Sequence, residues 1–400
     1  MDIRSGFSFW LIKNGLPSTY PKLETSTRSD TVILGGGISG ALAGYQLARE
    51  GVECLLIDAR TIGLGSTCAS TSLLQYEIDK PLCHLITSSG YKNATRAYRL
   101  CLEAIDKLAE IAETIGFSDF QHKKSLFYAA HKNDEAFIKK EFEARKAAGF
   151  VVQYLDKTDI KNAYGFSAAG AILSKKAATT DAYAFTHALH RFSLSKGLRI
   201  FDRTKITKIR STRRGHTLLT EDGHSIKTKR LVFATGYEVV NFIDKKIVDL
   251  KSTYATISEQ FNDGTAFWKD ECLIWNTAHP YLYLRTTSDR RILIGGRDEN
   301  FFEPVRRDKL IKRKTAQLTK DFQRIFPQIK FNAEFSWAGT FGSTKDGLPY
   351  IGTYSKKPNS YFALGFGGNG ITFSQIAAEI IADLIRGKKN ADADIFSFDR

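Results

Sequence analysis

The sequence has no apolar segment long enough to cross a membrane, since no stretch approaches the roughly 18 uninterrupted apolar residues that a spanning helix needs. A signal peptide is not expected either, because the N-terminal region lacks a sustained apolar core and a small-residue cleavage site. We therefore predict a cytoplasmic protein without a transmembrane segment.

Cysteine is scarce and unpatterned. The chain has five cysteines, an odd number, and they form neither a CxxC pair nor a cluster with histidine at metal-binding spacing: Cys54, Cys68, Cys83, Cys101 and Cys272. This pattern fits a reducing compartment, and it argues against both a disulfide framework and a structural zinc site.

Acidic residues are outnumbered by basic ones, 43 to 58, which gives a formal net charge of +15. Such an excess can accompany a surface that binds nucleic acid or an anionic membrane. Here the basic residues are scattered, and the densest groups lie beside acids or in predicted surface hairpins and helices. No nucleic-acid partner is predicted, and the excess charge is expected at most to steer an anionic cofactor or substrate.

The chain begins with a polar lead-in, residues 1–30, that is predicted to be irregular. The strand Thr31–Leu34, the helix Ser39–Glu50 and the strand Val52–Ile57 then form a βαβ unit. Glu221-Asp222-Gly223 separates two short alternating runs and predicts a hairpin. Further helices are predicted at Tyr91–Ile115, Glu135–Ala148, Asp181–Lys196 and Ile371–Arg386.

The order of these elements predicts two interleaved domains, which also suits a length of 400 residues. We expect an α/β protein with a Rossmann-like nucleotide-binding domain assembled from three separated segments. An inserted α+β substrate domain would contain a large mixed or antiparallel sheet. The nucleotide-binding segments are predicted at residues 1–84, 181–236 and 331–400, and the substrate-domain segments at 85–180 and 237–330.

A glycine-rich loop, residues 35–40 (GGGISG), directly follows the first predicted strand. Gly35 permits a tight turn, Gly37 lets the backbone approach a pyrophosphate, and Gly40 lets the helix pack closely on the sheet. The helix N-terminus supplies amide donors and a positive dipole to phosphates. Asp58 ends the next strand, where a carboxylate accepts from ribose hydroxyls. Together these features predict a dinucleotide site, although Asp58 alone would be typical of a surface acid.

The following loop, residues 63–72 (GLGSTCASTS), distinguishes between two dinucleotides. Small and hydroxyl residues can wrap a ribityl-pyrophosphate chain with their backbone amides, whereas NAD domains normally continue into another helix here. The loop therefore favours FAD, and the alternative is a flexible surface loop. Cys68 is interpreted as a packing residue.

Two later segments complete the predicted cofactor site. Residues 231–236 (LVFATG) form an apolar strand that ends beside the cofactor, and residues 365–372 (GFGGNGIT) open the last helix. Free amides of this helix would face the flavin pyrimidine carbonyl, where negative charge collects on reduction. The predicted cofactor-binding residues are Gly35, Gly37, Ile38, Ser39, Gly40, Asp58, Ala59, Arg60, Ser66, Thr67, Ala69, Ser70, Thr71, Ser72, Ile206, Ala234, Thr235, Gly236, Gly339, Gly368, Asn369, Gly370, Ile371 and Thr372.

These elements, in this order, resemble the D-amino-acid-oxidase-like (DAO) family of FAD oxidoreductases, in the branch with glycine oxidase, sarcosine oxidase and gamma-glutamylputrescine oxidase. The similarity runs from about Trp10 to Arg386, and it includes residues 181–183 (DAY), 283–287 (YLRTT), 295–298 (GGRD), 337–339 (WAG) and 345–352 (KDGLPYIG). It implies a GR2-type FAD-binding domain. It also implies oxidation of a C–N bond by hydride transfer from the α-carbon to flavin N5, imine hydrolysis, and reoxidation of the flavin by oxygen or another acceptor.

Two departures limit what this resemblance implies. Glycine oxidase-like proteins carry an arginine for the substrate carboxylate two residues after the Trp-Ala-Gly tripeptide, where this chain has Phe341. Covalent sarcosine oxidases tether FAD through a cysteine in the stretch that corresponds to residues 339–344, which contains none. FAD is therefore expected to be non-covalent, and an amine is a better-supported substrate than a plain α-amino acid.

The substrate pocket is predicted from aromatic residues and one arginine. Tyr254, Tyr283, Trp337 and Phe341, with Trp275 and Tyr281, could line an apolar or cation-binding pocket, although most such residues are normally part of the core. Arg285 is the predicted anchor for an anionic substrate group, and its alternative is a paired surface residue.

The predicted function is oxidation of an amine or amino acid by an FAD-dependent oxidase or dehydrogenase. Two alternatives remain open at this stage. One is a flavin dehydrogenase that acts on a 2-hydroxy acid, because the wider fold also hosts that chemistry. The other is a non-catalytic FAD-binding subunit.

Overall fold

A computed structural model describes residues 2–243, 247–262, 264–364 and 366–400. The helices are α1 (Phe9–Asn14), α2 (Ile38–Arg49), α3 (Leu82–Ser89), α4 (Tyr91–Thr114), α5 (Glu135–Ala147), α6 (Lys157–Tyr164), α7 (Ala182–Ser195), α8 (Pro304–Lys309), α9 (Ile311–Ile325) and α10 (Gly370–Ile385). The strands are β1 (Arg4–Gly6), β2 (Thr27–Leu34), β3 (Cys54–Ile57), β4 (Leu73–Gln75), β5 (Phe120–Tyr128), β6 (Val152–Leu155), β7 (Ala171–Thr180), β8 (Arg199–Phe201), β9 (Ile206–Thr212), β10 (Gly215–Thr220), β11 (Ser225–Phe233), β12 (Asp249–Ser258), β13 (Leu273–Asn276), β14 (Tyr283–Thr286), β15 (Ile292–Glu299), β16 (Ala333–Ser343), β17 (Tyr350–Tyr354) and β18 (Lys357–Leu364).

The described strands form two sheets. The larger one is ten-stranded, in the order β1-β16-β12-β15-β14-β13-β5-β7-β4 with β6 paired to β7. It is antiparallel except where β13 runs parallel to β5. The smaller one is eight-stranded, in the order β17-β18-β11-β2-β3-β8, and the β9–β10 hairpin joins it at β11. This architecture confirms the predicted fold class.

The smaller sheet is built around parallel strands that are covered on both faces. Strand β2 runs parallel to β3 and β11, with Leu34 paired to Ile57 on one side and to Phe233 on the other. Successive side chains alternate between two cores, because Ile33 packs with α2 and α10 while Leu34 packs on the opposite face. This coverage on both faces explains why the last three residues of β2 and all four residues of β3 form continuous apolar runs.

The predicted helices and the hairpin are present, with boundaries that differ by one residue or a few. Helix α4 buries one stripe, which includes Ala97, Leu100, Ala104, Leu108 and Ile111, against the core around α10. Among the described residues, no helix is both long enough and apolar enough to cross a bilayer.

The lead-in, residues 1–30, is not irregular as predicted. Strand β1 pairs with β16 in the larger sheet, where Arg4 lies opposite Gly339, and α1 buries Phe9 and Trp10. A three-residue strand carries too little periodicity to be recognised without its partner. Since β1 and β16 belong to the larger sheet, the sheets do not divide at the predicted segment boundaries, and the domain division stays a prediction.

A buried ionic cluster fixes α5 against the segment that follows β4. The Arg145 guanidinium donates to Glu141 at 2.7 Å and to Glu77 at 3.3 Å, and all three side chains are fully enclosed. The Glu141 carboxylate also accepts from the amides of Leu82 and Cys83 at the start of α3. The cluster therefore ties α3, α5 and the chain around Glu77 together.

Arg145→Met should lower the stability of the folded protein by about 3–5 kcal/mol, because it leaves two buried carboxylates without their cation while keeping most of the side-chain volume. The urea midpoint of unfolding, measured with FAD present, reports the loss. Lys139→Met is the matched control, since Lys139 forms an exposed ion pair with Glu135 on the same helix. Equal midpoints for the two variants would show that the cluster does not stabilise the fold through its charge.

Candidate functional site

One cavity of about 600 Å³ lies between the two sheets. The carboxyl ends of β2, β3 and β11 open into it, and the residues that follow each strand line its wall. Residues from β12, β14, β15 and β16 of the larger sheet form the opposite wall. A crevice at the carboxyl ends of parallel strands is where open α/β sheets bind nucleotides.

The glycine-rich loop needs its glycines for different reasons. Gly35 has φ +105°, and a Cβ there would lie 2.3 Å from the Ala234 carbonyl oxygen on the neighbouring strand end. Gly37 faces the cavity, and a Cβ there would lie 2.7 Å from Thr67 Oγ1. That hydroxyl accepts from the Ile38 amide at 3.0 Å, which fixes the start of α2.

Gly40 is the one predicted cofactor residue that does not line the cavity. A Cβ there would lie 1.8 Å from the Gly35 carbonyl oxygen, so its role is the close packing of α2 on the turn. The predicted residues that do line the cavity are Gly35, Gly37, Ile38, Ser39, Asp58, Ala59, Arg60, Ser66, Thr67, Ala69, Ser70, Thr71, Ser72, Ile206, Ala234, Thr235, Gly236, Gly339, Gly368, Asn369, Gly370, Ile371 and Thr372.

Asp58 lies at the end of β3 and holds two loops in place. Its carboxylate accepts from the Gly36 amide at 2.7 Å and from the Arg60 amide at 2.8 Å. Burial raises the pKa of Asp58, and these two amides oppose that effect. The neighbouring Arg60 side chain forms an ion pair with Glu238.

Two cavity-lining hydroxyls have no partner among the described residues. Ser66 Oγ and Thr235 Oγ1 are buried, face the cavity and make no hydrogen bond within the described chain. Buried polar atoms are nearly always satisfied, so such pairs of atoms indicate where a polar ligand binds. With the glycine cradle and the α2 N-terminus, they fit a dinucleotide.

The segment that leads into α10 does not present only free backbone amides to the cavity, contrary to what the sequence predicted. The Gly368 amide donates to Asp79 Oδ2 at 2.7 Å, so it is not free to face a ligand. Asn369 uses its side-chain amide to hold the carbonyls of Gln75 and Glu77. Gly365, the first residue of the predicted motif, lies outside the described residues.

The aromatic residues form the wall on the larger sheet, and all of those predicted line the cavity: Tyr254, Trp275, Tyr281, Tyr283, Trp337 and Phe341. Several of them use their polar atoms within the protein. Trp275 Nε1 donates to Ser125 Oγ at 3.1 Å, and the Tyr281 hydroxyl donates to Asp79 Oδ1 at 3.0 Å. Trp337 Nε1 donates to the Ala69 carbonyl at 2.9 Å, and the Tyr254 hydroxyl donates to the Arg307 carbonyl at 3.3 Å. These two side chains therefore position the cofactor loop and α8.

Arg285 lies outside the cavity, which contradicts its predicted role as a substrate anchor. Its side chain is 2% exposed, and its guanidinium donates to the carbonyls of Ser72 and Thr180, both at 2.9 Å. It also lies over the Trp10 ring at 5.4 Å. The alternating pattern of β14 shows that Arg285 lies on one face of the strand, but it does not show which face points to the cavity. The sequence therefore could not reveal that the arginine holds the loop at Ser66–Ser72 from outside the cavity.

Several lining residues were not singled out by the sequence. They are Gln75, Glu77 and Asp79 after the small-residue loop, Thr253 on β12 and Asp298 on β15. Burial raises the pKa of Asp79 and raises that of Asp298 to about 6. Asp298 ends the Gly-Gly-Arg-Asp motif, so the sequence contained a motif from which its place in the site could have been predicted. Asp79 belongs to no such motif.

Residues 30–384 match the model of the family described as FAD dependent oxidoreductase, DAO. The chain belongs to this family. Its cofactor is therefore FAD, and the protein is an oxidoreductase of the DAO family. The residues that line the cavity at the ends of β2, β3 and β11 are the ones suited to hold it.

Relatives cover most of this DAO-family chain at low identity. Glycine oxidase of Geobacillus kaustophilus (strain HTA426) is 26% identical, over 93% of this chain and 97% of its own length. Gamma-glutamylputrescine oxidoreductase of Escherichia coli (strain K12) is 21% identical, over 92% and 86% respectively. The crystal structure of glycine oxidase from Geobacillus kaustophilus superposes with a TM-score of 0.79 at 21% identity, over 92% of this chain and 98% of that one, which shows the same fold.

Gly37→Val should abolish FAD binding while far-UV circular dichroism stays near that of the wild type. Gly37 has φ −74°, so a side chain there costs no backbone strain, but it occupies the space through which a pyrophosphate approaches the loop. Titration of the apoprotein with FAD measures the effect.

The added side chain also meets Thr67, so Thr67→Ala and the double variant Gly37→Val/Thr67→Ala separate the two causes. Thr67→Ala should still bind FAD, and the double variant should not. Recovery of FAD binding in the double variant would mean that the collision within the protein, and not the space for the cofactor, explains the loss.

Proposed function

We propose that this oxidoreductase oxidises the C–N bond of an amine or amino acid, with imine hydrolysis to an aldehyde or keto acid. The supporting observation is a single cavity in which FAD-binding loops meet a wall of aromatic and carboxylate side chains from the larger sheet. Relatives named glycine oxidase and gamma-glutamylputrescine oxidoreductase act, by their names, on such nitrogen compounds. The proposed final electron acceptor is oxygen or another two-electron acceptor.

The residues that would hold FAD come from four segments. The loop at Gly35–Ser39 and the N-terminus of α2 suit the pyrophosphate, and Asp58 suits the ribose. The loop at Ser66–Ser72 and the side chain of Thr235 line the cavity with polar groups. Among these, the hydroxyls of Ser66 and Thr235 have no hydrogen-bond partner among the described residues. A bound FAD would supply the hydride acceptor for oxidation of the substrate's C–N bond to an imine.

The protein's own contribution is to orient the substrate and exclude water. Trp275, Tyr281 and Tyr283 give the wall an enclosed aromatic surface against which an α-carbon can be held. Hydride transfer from a neutral amine needs correct positioning and a dry site, and it needs no dedicated base. The absence of a catalytic triad-like constellation from the sequence is consistent with this chemistry.

The lining disfavours the 2-hydroxy acid alternative. Asp79 and Asp298 face the cavity, and Phe341 stands where a carboxylate-binding arginine is expected from the resemblance. A substrate carboxylate placed there, whether of a 2-hydroxy acid or of an α-amino acid, would lie close to the two acidic side chains, which is costly.

Anaerobic mixing of the FAD-loaded protein with a panel of amines, amino acids and 2-hydroxy acids tests the proposal. Amines should bleach the flavin absorption and release a carbonyl compound, because oxidation of a C–N bond yields an imine that water hydrolyses. Bleaching by 2-hydroxy acids alone would replace the proposal with the alternative. Bleaching by no member of the three classes would favour an FAD-binding subunit.

Acid precipitation should release all of the flavin into the supernatant as intact FAD. Residues 339–344 contain no cysteine, and Cys68 near the cavity is fully buried, with burial raising the pKa of its thiol. Absorbance and chromatography of the supernatant make the measurement. Flavin that stays on the denatured chain would contradict non-covalent binding.

A further inference from the structure

Two carboxylates line the same part of the cavity and act on the same tyrosines. Asp79 follows β4, and Asp298 lies near the end of β15. Burial raises the pKa of Tyr281, and the negative charges of Asp79 and Asp298 raise it further. The charge of Asp79 also raises the pKa of Asp298. The two carboxylates therefore interact electrostatically with each other and with the same tyrosine.

Neither carboxylate has an ion-pair partner among the described residues. Asp79 accepts from the Gly368 amide and, at 3.0 Å, from the Tyr281 hydroxyl. Asp298 Oδ1 is buried without a hydrogen-bond partner among the described residues, and a hydrogen bond from Thr253 favours the charged form of the carboxyl group. Lys251 on β12 favours the charged form of both carboxyl groups through space, and Lys314 favours that of Asp298, but neither lysine forms a salt bridge with them.

Several other charges of the lining have partners. Arg60 pairs with Glu238, and Lys205 pairs with Glu221 on the surface. Glu77 shares the buried Arg145 with Glu141, and Asp58 accepts from two backbone amides. Asp79 and Asp298 therefore add to an excess of negative charge in the lining, in a chain whose overall charge is +15. An enclosed carboxylate without an ion-pair partner is costly, and a bound cation would offset that cost.

Aromatic rings surround the same two carboxylates. The ring centroids of Trp275 and Tyr281 are 6.1 Å apart, and those of Tyr281 and Tyr283 are 5.8 Å apart. Aromatic faces attract ammonium groups, and they attract them more strongly where water is excluded. Carboxylates and aromatic rings in one wall therefore both favour a cation.

We propose that Asp79, Asp298, Tyr281 and Tyr283 form a subsite for a cationic group of the substrate, so that the preferred substrate is a diamine. The inference rests on the proposed oxidation of a C–N bond and names its substrate class. The cation at this subsite is not the nitrogen that reacts, because hydride transfer requires a neutral amine and a neighbouring carboxylate favours its charged form. A second ammonium group, separated from the reacting carbon by an alkyl chain, satisfies both requirements.

Binding is tested first, independently of oxidation, with tetramethylammonium as the probe. This cation has a permanent charge and no N–H bond, so it cannot be oxidised to an imine. Calorimetric titration of the FAD-loaded protein should detect binding, and Asp298→Asn should weaken it roughly tenfold or more through the loss of a charged partner. Asp79→Asn should act in the same direction. Asp222→Asn, in the exposed hairpin turn and paired with Lys22, should leave binding unchanged.

Selectivity is tested second, by anaerobic reduction of the flavin with 1,4-diaminobutane and with n-butylamine. The diamine should give the larger second-order rate constant of flavin reduction in the wild type, and Asp298→Asn should remove most of this difference without lowering the FAD content. Equal rates for the two amines, or an unchanged ratio in Asp298→Asn, would overturn the subsite.

The two tests distinguish a failure of the proposed oxidation from a failure of the proposed cation subsite. If no amine reduces the flavin while tetramethylammonium still binds in a manner that depends on Asp298, the proposed C–N oxidation is wrong and the cation subsite stands. If amines reduce the flavin and tetramethylammonium binds wild type and both variants equally, or binds none of them, the oxidation stands and the subsite is wrong.

Discussion

The close backbone approach at the carboxyl ends of β2 and β11 is the constraint on which the rest of the site depends. A Cβ at Gly35 would lie 2.3 Å from the Ala234 carbonyl oxygen, and a Cβ at Gly40 would lie 1.8 Å from the Gly35 carbonyl oxygen. Only side-chain-free positions allow both contacts. Together they bring the N-terminus of α2 to the mouth of the cavity, where its amides and dipole can act on phosphates.

The remaining FAD-binding segments are held by hydrogen bonds around this turn. Asp58 accepts from the amides of Gly36 and Arg60, so one carboxylate links the turn to the end of β3. On the other side, Arg285 and Trp337 hold the carbonyls of the loop at Ser66–Ser72. The smaller sheet thus holds the glycine turn through Asp58, and the larger sheet holds the loop at Ser66–Ser72 through Arg285 and Trp337.

The cavity has two electrostatic characters. The end near α2 presents amides and a helix dipole, which suit an anionic pyrophosphate. The wall near Asp79 and Asp298 presents carboxylates and aromatic rings, which suit a cation. The net charge of +15 does not predict this division, because many basic side chains are paired on the surface, as Lys205 is with Glu221. The sign of the charge in a binding site depends on the few groups that line it and not on the net charge of the chain.

The sequence pattern was sufficient to predict the features that depend on residues close together in the chain. The strand, the glycine turn, the helix and Asp58 follow one another within a single βαβ unit, so their spacing predicted a dinucleotide site there, and the order of elements along the chain predicted the fold class. Pattern was insufficient for β1, whose partner in the described sheet is β16 near the other end of the chain, and for Arg285, whose face on β14 is fixed by the loop that it holds.

The sequence by itself predicted a dinucleotide site at the first βαβ unit, because such a site depends on backbone conformation and on the absence of side chains at fixed positions. Only the tertiary structure decided the character of the substrate wall. Asp79 and Asp298 lie far apart in the chain. They face one cavity because the Tyr281 hydroxyl and the Gly368 amide hold Asp79 there, while Asp298 lies on β15 beside β14. Whether a carboxylate is paired or left exposed to a ligand depends on what the fold places beside it, and no local pattern records that.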